Sequence, residues 1–169
     1  MSVPEYMLTA LSEKAPSARV FSNITLDGKR GKGLKADLLI VHKTGIYPVY
    51  YCDKEGYVYG AESAKCWILR SNEGEGDYFT NPLITARQAT EALLSKCRGI
   101  EPRFVKPIVL YSDNTNIVDV SIKGTDIAFC GEEYFLAQFL LKEYEDEVVD
   151  APTRDTIIKQ FTMLQLFSK

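Results

Sequence analysis

Hydrophobic spacing divides the chain into recognisable elements. After Pro4, the residues Tyr6, Met7, Leu8 and Leu11 fall at helical spacing and predict a short first helix that Pro16 ends. From Arg19 to Leu26 the chain is rich in β-formers and reads as a strand. Ala36 to His42 and Ile46 to Cys52 are two further strands, and the tight Lys43-Thr44-Gly45 connection between them predicts a hairpin. Glu55-Gly56 is another turn before the strand-like Tyr57-Val58-Tyr59-Gly60, and Ser71 to Asp77 reads as a polar loop.

Asn81-Pro82 is a helix start, a capping side chain followed by proline at the first helical position. Leu83, Ala86, Leu93, Leu94 and Cys97 form the apolar stripe of that helix, and Gly99 ends it. Three strands follow, at Val105 to Tyr111, Ile117 to Ile122 and Asp126 to Cys130. Two helical patterns finish the chain. Phe135, Leu136, Phe139 and Leu140 mark one; Ile157, Phe161 and Leu164 mark the other, with Pro152 near its start. The order helix, strands, helix, strands, helix, helix predicts an α/β (α+β) fold with one mixed sheet flanked by helices.

The chain has 169 residues, enough for one domain with a sizeable core, and we read residues 1–169 as a single domain. A net charge of −3 argues against a protein coated in basic charge for non-specific nucleic-acid binding. It leaves room for one local basic face, and Lys29, Arg30, Lys32 and Lys35 supply a candidate in a glycine-containing loop after the first strand. That loop is either a solvated connection or a set of phosphate contacts. The four cysteines, Cys52, Cys66, Cys97 and Cys130, form no close pair, and His42 is the only histidine. A structural zinc site does not fit this set. Buried thiols in a reducing, cytoplasmic compartment do. Neither a signal peptide nor a membrane span is expected.

Several segments in order resemble one known family, the nuclease-related (NERD) domain, whose fold is that of the PD-(D/E)XK, restriction-endonuclease-like nucleases. These segments are Ser22-Asn23-Ile24-Thr25-Leu26, Ala36-Asp37-Leu38-Leu39-Ile40-Val41, Gly45-Ile46-Tyr47-Pro48-Val49 and Gly56-Tyr57-Val58-Tyr59-Gly60. Trp67 and Phe79-Thr80-Asn81-Pro82-Leu83 complete the series. The spacing from Asp37 to Gly60 fits the family pattern without a gap. Pro4-Glu5-Tyr6 is similar to the start of the family's first helix. The motif-bearing core spans about residues 19–99, and the C-terminal strands and helices occupy 104–169. Stand-alone domains of this kind suit a prokaryote or its mobile elements.

The resemblance implies a chemistry that can be checked residue by residue. Such nucleases hold a divalent metal with an aspartate on one strand and an acid-x-lysine on the next, and the metal and lysine activate water and stabilise phosphate charge. Asp37 stands at the first position, and Glu5 matches a helix glutamate that assists the metal. The acid-x-lysine should occupy residues 50 to 52, where this chain has Tyr50-Tyr51-Cys52. A tyrosine is no ordinary magnesium ligand, and a neutral thiol cannot supply the lysine's charge. The family's glutamine in the following helix falls on Thr85. Glu5, Asp37, Tyr50, Cys52 and Thr85 are therefore the positions of a vestigial site. No catalytic residue and no cofactor is expected, and only weak magnesium binding through Asp37 and Glu5 stays open.

Two ways of rebuilding an active site follow from neighbouring residues. Lys54 lies on the strand face of Tyr50 and Cys52 and can reach back, whereas Asp53 points the other way in a regular strand and Glu62 falls near the next turn. Cys52 as a nucleophile would need a base, and His42 lies at the far end of the hairpin. The tyrosines at 47, 50, 51, 57 and 59 concentrate in one region and suit an interface. The acidic residues Glu143, Glu145, Asp146, Glu147 and Asp150 read as a solvated helix end, or as a docking site for a basic partner. The sequence thus favours a catalytically inactive nuclease-fold domain that binds a protein partner or oligomerises. The alternatives are a non-cleaving nucleic-acid-binding domain and a metal-dependent nuclease with a rearranged site.

Overall fold

A computed structural model describes residues 3–26, 34–124 and 126–168. The element order is α1 (Glu5–Lys14), β1 (Arg19–Thr25), β2 (Lys35–His42), β3 (Gly45–Cys52), β4 (Gly56–Ala61), β5 (Cys66–Arg70), β6 (Gly76–Thr80) and α2 (Pro82–Lys96). It continues with β7 (Ile108–Tyr111), β8 (Thr115–Ser121), β9 (Ala128–Gly131), α3 (Glu132–Leu141) and α4 (Ala151–Phe167).

The strands form two sheets, not the single one expected. The larger has the order β1-β2-β3-β7-β9, and the smaller β6-β5-β4-β8. In the larger sheet β1, β2 and β3 run antiparallel, while β7 and β9 add in parallel beyond β3. The predicted hairpin is present, with Leu38 opposite Val49 and Ile40 opposite Tyr47.

Alternation along β2 and β3 sorts side chains between two cores. Leu38, Ile40, Tyr47 and Val49 face one side, where Met7 and Leu11 of α1 and Phe135 and Phe139 of α3 cover them. Leu39, Val41, Ile46 and Tyr50 face the other, under Leu83 and Ala86 of α2 and Phe161 of α4. Val58 and Trp67 of the smaller sheet join that second core. The structure is thus a sheet with helices on both faces and a smaller sheet packed beside it. Among the described residues, no helix is long and apolar enough to cross a membrane.

Several boundaries differ from the sequence reading. The segment Ser71–Asp77 is only partly loop, because Gly76–Thr80 returns as β6 and pairs with β5, placing Phe79 opposite Trp67. The strand expected from Val105 begins at Ile108, since Pro102–Phe104 form a 3-10 turn and Pro107 carries no amide hydrogen. Helix α2 ends at Lys96, before the positive-φ Gly99. Asn81 does cap α2: its side-chain oxygen accepts from the Leu83 amide at 2.9 Å, while its amide nitrogen donates to three carbonyls of residues 61 to 64.

The acidic segment is not merely a solvated helix end. Glu143 accepts from Ser17 Oγ at 2.7 Å and meets His42 Nε2 at 2.9 Å. Asp150 caps α4 through the Thr153 amide. The buried His42 thereby ties the β2–β3 turn to the end of α3, far from Cys52.

Candidate functional site

The carboxyl ends of β3, β7 and β9 lie side by side, and the backbone there opens into two adjoining clefts. Crevices at the carboxyl ends of parallel strands are favoured ligand sites in α/β folds. The first cleft, of about 600 Å³, is lined by Asp37 of β2, by Tyr50, Tyr51 and Cys52 of β3, and by Asp53 and Lys54 just beyond it. Phe79 and Thr80 of β6, Pro82 and Thr85 of α2, and Leu34 and Lys35 before Asp37 complete its wall. Asp37, Tyr50, Cys52 and Thr85, predicted from sequence to share a site, therefore do converge. Glu5 does not line this cleft. It lines the second, which shares Tyr51 and Asp53 with the first.

Asp37 lies on β2 between two residues paired with β1. Ser22 pairs with Leu38 and Ile24 with Ala36, and between them Asn23 adopts a left-handed backbone conformation with φ 53°. Asp37 turns its carboxylate toward β3, where Oδ2 accepts from the Tyr51 amide at 2.7 Å. Burial pushes the Asp37 carboxyl above its ordinary range, and this amide opposes the shift without reversing it.

Tyr50 fills the space beside Asp37. It is 6% exposed, and its hydroxyl has no hydrogen-bond partner among the described residues. Burial, and secondarily the Asp37 carboxylate, push its hydroxyl well above the usual tyrosine range. The neighbouring Thr90 hydroxyl works the other way but donates to the Ala86 carbonyl at 2.8 Å. Burial also pushes the Cys52 thiol up to about 11, which leaves little thiolate for nucleophilic attack. The Lys54 ammonium sits 5.3 Å from the Phe79 ring centroid, and one oxygen of Asp53 is buried without a hydrogen-bond partner among the described residues.

The metal implied by the resemblance does not fit these donors. Tyrosine and a protonated thiol stand at the second-strand positions, and one Asp37 oxygen already holds the Tyr51 amide. Among the described residues, no group of three or more acidic, histidine or cysteine side chains is arranged to hold an ion. Of the basic loop, Lys35 is exposed and lines the first cleft. Lys29, Arg30 and Lys32 lie outside the described residues.

The second cleft was not foreseen. Its deepest acid is Glu132 at the start of α3, 4% exposed. Tyr6 Oη donates to Glu132 Oε2 at 2.8 Å, and Tyr51 Oη donates to Oε1. Burial first, and then the Glu132 carboxylate, push the Tyr51 hydroxyl up to about 12 and raise Tyr6 likewise. Asp113, at the end of β7, is raised by desolvation and by the like charge of Glu132. These residues are far apart in the chain, and only the acidic start of α3 was a local signal.

The family model described as nuclease-related domain matches residues 5–112, more than half of the chain. No curated protein matches it.

Proposed function

The chain belongs to the nuclease-related domain family, and on that premise we propose that it is a catalytically inactive member of the PD-(D/E)XK fold that acts as a protein-binding or oligomerising module. One observation supports the reading: Tyr50, at the position where the resemblance puts the second-strand acid, is buried and lines the same cleft as Asp37. An aromatic ring there makes the wall of a charged cleft apolar. Beside it, the half-buried rings of Tyr51 and Phe79 line the same cleft and supply contact surface of the kind aromatic side chains provide at interfaces.

Two further readings each have an observation in their favour. Asp53 and Lys54 line the same cleft as Asp37, which favours a rearranged nuclease site as the second choice. The exposed Lys35 at that cleft favours phosphate contact by a non-cleaving nucleic-acid-binding domain as the third.

The experiment is affinity capture from the native host with wild type and a Tyr51→Ala variant as baits, alongside light scattering of the purified protein. The reading expects a stoichiometric protein partner or a self-association that the substitution weakens. A monomer that captures only nucleic acid, or that cleaves it, sinks the reading.

A further inference from the structure

The two clefts make one groove of two chemistries. They meet at Tyr51 and Asp53, which line both. On one side Leu34, Tyr50, Cys52, Phe79 and Pro82 form an apolar strip, with Lys35, Asp37, Lys54, Thr80 and Thr85 around it. On the other side five carboxylates, Glu5, Asp53, Glu55, Asp113 and Glu132, line about 600 Å³ of space, with no lysine or arginine among the described residues that line it. We propose that this groove receives a short segment of a partner protein in which an apolar side chain neighbours a lysine or arginine. The apolar side chain occupies the Phe79 side and the cation the Glu132 side. The inference rests on the protein-binding reading above and names the partner's chemistry.

Charge complementarity selects the cation. Glu132 is 4% exposed, its oxygens accept from two neutral tyrosine hydroxyls, the like-charged Asp113 carboxyl sits against it, and among the described residues no ion pair neutralises it. A buried carboxylate held this way favours a cationic partner. The five acids do not gather around one point as a metal requires. Carboxylates spread around a cleft suit a long side chain whose charged head can move among them and whose stem packs on apolar wall.

The apolar side gives an independent sign that something belongs there. Tyr50 is more than nine-tenths buried and its hydroxyl, beside Thr90 whose own proton goes to the Ala86 carbonyl, has no hydrogen-bond partner among the described residues; at the junction one oxygen of Asp53 is likewise buried without a partner among them. Buried polar atoms left without partners are costly, and an incoming N–H at the junction relieves that cost. Phosphate is a poor occupant of the acidic side, since five carboxylates repel it.

The test uses the full chain, labelled with ¹⁵N, and a panel of capped hexapeptides. Each places leucine, phenylalanine or tyrosine beside lysine or arginine. Matched controls carry glutamate for the cation or glycine for the apolar residue. The expected result is a saturable shift of the Tyr51, Asp53 and Asp113 amides, with either control at least about tenfold weaker. Glu55→Lys and Asp113→Asn change exposed side chains and should weaken the cationic peptides about fivefold or more while leaving the remaining spectrum in place. Failure of the whole panel to bind, equal binding by the controls, or saturation of the same amides by a short oligodeoxynucleotide overturns the proposal. A protein that binds no peptide and cleaves no DNA loses this groove but keeps the non-cleaving reading. Asp37-dependent cleavage removes that reading itself.

Discussion

The Tyr51 amide donates to Asp37 Oδ2 at 2.7 Å, so the one acid retained on β2 is tied to the backbone of β3. That bond sets the arrangement of the first cleft. Asp37 points at the strand where a second acid and a lysine would stand, and finds a peptide group, a phenol and a thiol.

Asp37→Asn should test that placement through pH. Burial raises the Asp37 carboxyl, so the folded state binds its proton more readily than the unfolded chain does. Its ionised form therefore opposes folding in full above the raised folded value, and the penalty shrinks as pH falls below that value and is gone below the unfolded 3.8. Asparagine keeps an oxygen for the Tyr51 amide and carries no charge. Urea unfolding should find the variant at least as stable as wild type at pH 7, with any advantage shrinking on acidification.

Tyr50→Phe removes a hydroxyl that is buried without a partner. The usual loss on removing a bonded tyrosine hydroxyl should be absent, and the variant should gain up to about 1 kcal/mol. A clear loss of stability in denaturant titration would mean that the hydroxyl has a partner in solution.

How far the sequence foretold this arrangement depends on the reach of each signal. The two strands of residues 36 to 52 and their hairpin were legible because the β-formers and the tight turn are local signals, and Tyr50 and Cys52 share a face because a strand imposes period two. Asp37, Tyr50, Cys52 and Thr85 came together because family spacing fixes a register, and register fixes neighbours. Strands β5 and β6 were missed because β6 is mostly exposed and owes its place to cross-strand pairing with residues around Trp67. The contact of Glu132 with Tyr6 and Tyr51 joins residues 126 and 81 positions apart, and no local pattern encodes it. Glu143 looked like surface charge for the same reason, since its partner His42 lies 101 positions away.

His42→Ala should cost about 2 kcal/mol or more at pH 7, because it strips a fully buried ring from Glu143 and Thr44. Thr44's amide donates to Nδ1, which fixes the neutral tautomer with Nε2–H toward Glu143. Burial lowers the folded His42 value below 6.5 despite Glu143. Its contribution is therefore complete above pH 6.5 and declines as pH falls toward the folded value. Burial alone would raise Glu143, but the bonds from Ser17 and His42 outweigh it and leave it below 4.5, so its share is lost at still lower pH. Thermal unfolding against pH should show wild type and variant converging in acid.

Gly60 stands against the face of Trp67. A Cβ there would lie 2.4 Å from Trp67 Cγ, and Trp67 is held by its indole N–H to the Ala61 carbonyl at 3.0 Å. Gly60→Ala should destabilise by about 1–3 kcal/mol and disturb the β4–β5 pairing that backs the first cleft. Tryptophan fluorescence during unfolding reads both effects.

The central claim is that this member of a nuclease-related family does not cleave. The most direct measurement is incubation of labelled single- and double-stranded DNA with purified wild type and Asp37→Ala protein in magnesium or manganese. The account predicts no cleavage above buffer in either case, and no difference between the two proteins. Metal-dependent cleavage by wild type that disappears in Asp37→Ala would contradict it and point to Asp53 and Lys54 as the rebuilt partners.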